Sequence, residues 1–123
     1  MLPEPAFGWL GRPESRRYRK KMRILIAGAG AVGGTIAGAL AAAGHPFILG
    51  ESDEGVLEAL RKNGLEFMRG GGSSQVTVEA ASLQELSGSF DAVFLAVKGP
   101  RLGEVMRAVS PRMHRDTFFL SLQ

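Results

Sequence analysis

Between residues 23 and 52 the chain reads RILIAGAGAVGGTIAGALAAAGHPFILGES, with Gly28, Gly30, Gly33 and Gly34 packed between a short apolar run and an alanine-rich segment. Glycine weakens strands and helices alike, so this density marks a point where the backbone itself must be bare. The preceding run, MRILIAG (22–28), is apolar without alternation, which predicts a strand buried on both faces. The following segment, AVGGTIAGALAAAG (31–44), predicts a helix stopped by Gly44.

A strand before it and a helix after it give the pattern G-x-G-x-x-G its meaning. Gly28 permits a tight turn, Gly30 has no side chain to obstruct a pyrophosphate, and Gly33 lets the helix approach the strand. The helix start supplies free N–H groups and partial positive charge, so the whole loop, Gly28, Ala29, Gly30, Ala31, Val32 and Gly33, is a candidate dinucleotide cradle. A triphosphate-type phosphate loop is excluded, because no Gly-Lys-Ser/Thr follows. Glu51 lies 21 residues after Gly30, at the end of the next apolar run. An acid there accepts from the adenosine ribose hydroxyls of NAD. It repels a 2′-phosphate by about 4 kcal/mol at about 4 Å and an effective dielectric near 20, before solvent screening. The bland alternative has Glu51 facing water.

The rest of the chain continues the alternation. PFILG (46–50) reads as a second strand, and SDEGVLEALRKNG (52–64) as a helix with acids at its start and Arg61 and Lys62 at its end. LEFMR and QVTVEA, separated by GGGSS, predict a hairpin with one wet face. SLQEL reads as a helical turn, FDAVFLAV (90–97) as a third buried strand, PRLGEVMRAVSPRM (100–113) as a helix and TFFLSLQ (117–123) as a fourth buried strand. Apolar strands alternating with helices imply an α/β fold, a Rossmann-like doubly wound parallel sheet with a small β-hairpin insertion.

The formal charge of +3 is a property of the N-terminus: residues 1–21 hold six basic and two acidic residues, and the remainder nine basic and ten acidic. RRYRKK could touch an acidic surface, but the plainer reading of 1–21 is a disordered leader ahead of a domain at 22–123, with Met22 as the natural start; no nucleic-acid partner is expected. No run is apolar and long enough for a bilayer span, and the leader has no apolar stretch typical of a signal peptide, so a cytoplasmic protein without membrane attachment is expected. The absence of cysteine excludes a disulfide scaffold, and His45 and His114 have no ligand spacing, so no metal site is expected. The oligomeric state has no signature.

The combination of MRILIAGAGAVGG, LAAAGH, LEALRKNGLEF, FDAVFLAVK and SLQ, spread over residues 22–123, resembles the N-terminal part of the ketopantoate reductases (2-dehydropantoate 2-reductases). The resemblance implies NADPH-dependent reduction of the 2-keto acid ketopantoate to pantoate, on the route to coenzyme A. It matches Gly28, Gly30 and Gly33 to the phosphate loop, and Lys98, directly after Val97, to a cleft lysine with an auxiliary part in catalysis. The family's arginine after the second strand is missing: that stretch reads Gly50-Glu51-Ser52-Asp53, with Ser52 roughly in its place. The family thus suggests NADP, while Glu51 and the missing arginine favour NAD. The family's helical domain, with its main catalytic lysine and substrate clamp, has no counterpart here, so the chain is expected to bind a dinucleotide without turning over. The competing expectation is a stand-alone NAD(H)-sensing module of the potassium-transport type, which shares the glycine loop and the acid.

Overall fold

The computed structural model describes residues 21–122; apart from Lys21, the basic leader read at 1–21 lies outside the described residues. Five strands form one sheet: β1 (Ile24–Ala27), β2 (Ile48–Glu51), β5 (Glu79–Ser82), β6 (Phe90–Leu95) and β7 (Met113–Ser121). Their spatial order is β5-β2-β1-β6-β7, and every pairing is parallel. Side chains of β1 alternate between two cores. Leu25 and Ala27 join Val93 and Leu95 of β6 on one face, under Val105 and Val109 of helix α3 (Gly99–Val109). Ile26 points the other way, to Leu49 of β2, Ala37 of α1 (Ala31–Ala42) and Leu60 of α2 (Glu54–Asn63). With helices on both faces the sheet is doubly wound, and a fully buried Leu or Ile such as Leu25 or Ile26 is worth about 1.5–3 kcal/mol.

Local chemistry agrees with these elements. Asp53 caps α2, its Oδ1 accepting the Val56 N–H at 3.0 Å, while Glu54 opens the helix and Arg61 and Lys62 close it in accord with the dipole. Strands β3 (Leu65–Arg69) and β4 (Gly72–Val76) form the inserted antiparallel hairpin, turned by Gly70 and Gly71, both at positive φ.

Three expectations are corrected. The residues of QVTVEA do not form one strand, and GGGSS is not merely a separator. The hairpin's second strand already begins at Gly72, and pairing stops at Leu65↔Val76, because Leu65 follows directly on Gly64, the C-cap of α2, which leaves Thr77 no strand opposite. The chain then crosses to the open edge of β2, where Glu79–Ser82 pair in parallel. The helix expected to reach residue 113 ends at Val109, and a 3-10 turn over Ser110–Arg112 leads into β7. Finally, β7 is not buried. It is an edge strand, with Phe119 against the core but Phe118 at 55% exposure and Leu120 at 39%.

Candidate functional site

The glycine loop sits where β1 ends between β2 and β6. The Gly28 N–H donates to the Gly50 carbonyl at 2.8 Å, and the Ala96 N–H donates to the Ala27 carbonyl at 2.9 Å, so the loop is pinned to both neighbouring strands. Gly28 turns with φ +111°, and a Cβ there would lie 2.8 Å from the Ala96 oxygen and from Val97 Cγ1. At Gly33 a Cβ would overlap the Gly28 carbonyl oxygen and sit 3.3 Å from Ala96 Cβ, so this glycine sets the approach of α1 to the sheet. Gly30 is different: nothing lies within 4 Å of its Cβ position. Its bareness serves no contact among the described residues and leaves a cradle in front of α1.

Gly30 is the N-cap of α1 and offers no side-chain cap. The first intrahelical bond runs from the Gly34 N–H to the Gly30 carbonyl at 2.7 Å. The N–H groups of Ala31, Val32 and Gly33 precede it, and no acid in the first turn competes for them. The start of α1 borders a cavity of about 430 Å³ lined by Gly28, Ala29, Gly30, Ala31, Val32, Glu51, Ser52, Ala96, Val97, Lys98 and Arg101, with Leu83, Val105 and Leu122 as its apolar walls. The expected site residues are thus brought together, with Gly33 standing behind them. A wider hollow of about 740 Å³ continues along the outer side of α1, past Thr35 and Gly38 to Leu65 and Glu66 at the hairpin.

Glu51 faces inward, at 8% exposure, and not to water. Its Oε1 accepts the Ala29 N–H at 3.1 Å, and its Oε2 accepts the N–H groups of Ser52 at 3.0 Å and Asp53 at 2.8 Å. One carboxylate therefore ties the glycine loop to the β2–α2 turn, and a carboxylate so engaged has little acceptor capacity left. Ser52 is half-buried beside it, its Oγ accepting from Gln84 Nε2 at 3.4 Å. Lys98 is the exposed N-cap of α3 and makes no capping bond. Arg101, one turn on, was not foreseen. Its signal was legible: a cation in the first turn, after a lysine at the N-cap, of a helix that has no acid there, against the usual dipole preference.

Among the described residues no three His, Cys, Asp or Glu side chains gather as a metal site, and no helix is long and apolar enough to cross a membrane. His114 lies elsewhere, on β7, with Nε2 2.8 Å from Asp91 Oδ1 and Nδ1 accepting the Asp116 N–H at 3.1 Å.

A doubly wound parallel sheet, with a glycine loop between its first strand and helix and an acid ending its second strand, is a Rossmann nucleotide-binding domain. The family model described as ApbA, ketopantoate reductase PanE/ApbA, matches residues 24–123. A 2-dehydropantoate 2-reductase of Mesorhizobium japonicum is 35% identical over 102 residues, covering 83% of this chain and 31% of that protein. The crystal structure of a PanE/ApbA family ketopantoate reductase from Ralstonia eutropha superposes with a TM-score of 0.73 at 33% identity, over 83% of this chain and 34% of that one. D-mandelate dehydrogenase in a ternary structure with NADH and anilino(oxo)acetate shares the fold, with a TM-score of 0.77 at 24% identity, over 82% of this chain and 33% of that one. The chain belongs to the PanE/ApbA ketopantoate reductase family, and it spans about a third of the length of these relatives. The match over residues 24–123 speaks against the sensing-module reading.

Proposed function

We propose that this chain is the cofactor-binding part of a nicotinamide-dependent reductase acting on a 2-keto acid of the ketopantoate type. One observation carries the reading: the bare Gly30 cradle, the free N–H groups of α1 and the side chain of Lys98 line the same cavity. Backbone donors at a helix start suit a pyrophosphate. The nicotinamide, when bound, supplies a hydride. Gly28 and Gly33 hold the loop in place, Glu51 fixes its attachment to β2, and Val97 and Lys98 close the far wall. Lys98 holds a positive charge at the mouth, suited to a carboxylate or a phosphate as a point charge.

Reduction of a keto group also needs a proton donor for the new hydroxyl and a clamp for the substrate. Among the described residues the cavity carries only Lys98 and Arg101 as free cations, with no dedicated acid. We therefore read the chain as one that binds the dinucleotide and does not turn over by itself. The test titrates the 123-residue chain with NADH and NADPH by nucleotide fluorescence, then adds ketopantoate. The reading expects saturable binding of at least one dinucleotide and no oxidation. Failure of both to bind overturns the cofactor assignment, and steady oxidation overturns the claim that catalysis needs more than this chain.

A further inference from the structure

The end of β2 and the turn after it carry no cation: Glu51, Ser52 and Asp53 stand where a positive charge would meet a phosphate on the adenosine ribose. Across the same cavity the balance is reversed. Lys98 and Arg101 both line it, at the N-cap and in the first turn of α3. Neither has a carboxylate partner among the described residues, and the helix has no acid in its first turn. Two cations at the positive end of a helix run against its dipole, a small cost that a bound anion offsets. The carboxylate within the cavity, that of Glu51, already accepts three backbone N–H groups. An arginine fork matches a phosphate with two parallel hydrogen bonds, which a lysine point charge does not.

We propose that Arg101 is a cofactor-specificity residue. Its guanidinium, reaching over from α3 to the Ser52 side of the cavity, takes the phosphate that distinguishes a 2′-phosphorylated nicotinamide dinucleotide from its unphosphorylated counterpart. This rests on the dinucleotide reading above and assigns the choice between the two forms to a residue on α3, not to the residues after β2. Glu51, on its own, argues for NAD; Arg101 reverses that preference.

The experiment measures affinities of the 123-residue chain and its Arg101→Ala and Arg101→Lys variants for NADPH and NADH by fluorescence titration. Adenosine 2′,5′-bisphosphate and 5′-ADP serve as competing probes. Arg101 is exposed, so the fold should survive, and a far-ultraviolet circular dichroism spectrum checks this. The expected result is a wild-type preference for NADPH and for the 2′,5′-bisphosphate. Arg101→Ala should weaken both by roughly tenfold or more, as loss of a charge-assisted hydrogen bond does, with NADH and 5′-ADP held within about twofold. Arg101→Lys should recover part of the difference. Equal weakening of all four ligands would place the guanidinium on the pyrophosphate and overturn the proposal. So would no change in any ligand, or a wild-type preference for NADH. If the wild type binds no dinucleotide at all, the cofactor assignment itself falls, and this inference with it.

Discussion

Replacing Glu51 by Gln tests whether one carboxylate holds the glycine loop to the sheet. The wild-type side chain accepts from Ala29 with one oxygen and from Ser52 and Asp53 with the other, almost wholly out of water. Glutamine has one acceptor oxygen. Turned toward Ser52 and Asp53, it sets its own NH₂ against the Ala29 N–H; flipped, it orphans the other two. A buried donor left without a partner costs about 1–3 kcal/mol, and the two surviving bonds lose their charge assistance. The neutral amide recovers part of the desolvation that the carboxylate incurs. The net loss is about 2 kcal/mol, a large share of the ~5–15 kcal/mol that holds a domain together. With a urea slope of roughly 1.5 kcal/mol/M for a domain of this size, the unfolding midpoint should fall by about 1 M or more. Asp53→Asn is the control, because asparagine still caps α2 while removing a neighbouring charge; it should shift the midpoint far less. An E51Q midpoint within about 0.2 M of wild type would refute the reasoning and return Glu51 to solvent.

Two glycines of the loop should separate cleanly. Gly33→Ala must displace the Gly28 carbonyl and lift α1 from the sheet, at a cost of about 3 kcal/mol or more, read as a loss of thermal stability. Gly30→Ala meets nothing and should melt within about 1 kcal/mol of wild type, yet bind NADH and NADPH much more weakly in a fluorescence titration. Thr117→Val removes a hydroxyl that donates to the Phe90 carbonyl at 2.7 Å and accepts the His114 N–H at 2.8 Å, and should cost about 1–3 kcal/mol in urea unfolding without altering dinucleotide affinity.

The shape of the loop was legible because each glycine answers a local demand: a turn at Gly28, an open face at Gly30, a close approach at Gly33. The landing of Glu51 at the end of β2 was legible too, since strand length and spacing set it. Its partners were not. They are backbone N–H groups, one of them belonging to a loop that only the β1–β2 pairing brings alongside. The residues of QVTVEA carry a period-2 pattern that suits any strand with one wet face. The pattern is silent about which strand is the partner, so the passage from hairpin to sheet edge was invisible. The exposure of β7 was hidden for a related reason. Apolar residues mark a strand's capacity for burial, whereas burial itself depends on what lies across from Phe118 and Leu120. Arg101 runs against the dipole preference at the start of α3, but nothing in the sequence says that it shares a cavity with the glycine loop.

The wholly parallel sheet also governs how the domain is born. Its central strand is the first one made, and one of its partners comes much later: the Arg23 N–H reaches Asp91, 68 residues onward. Parallel pairs need crossovers and long loop closure, so they form slowly, whereas the β3–β4 hairpin closes locally. The loop is bonded to the chain that leaves β6, the Ala96 N–H donating to the Ala27 carbonyl, so its final shape needs β6 in place. In a refolding time course, nucleotide fluorescence is then a clock for the final step, rising with burial of the sheet centre and lagging behind helix formation.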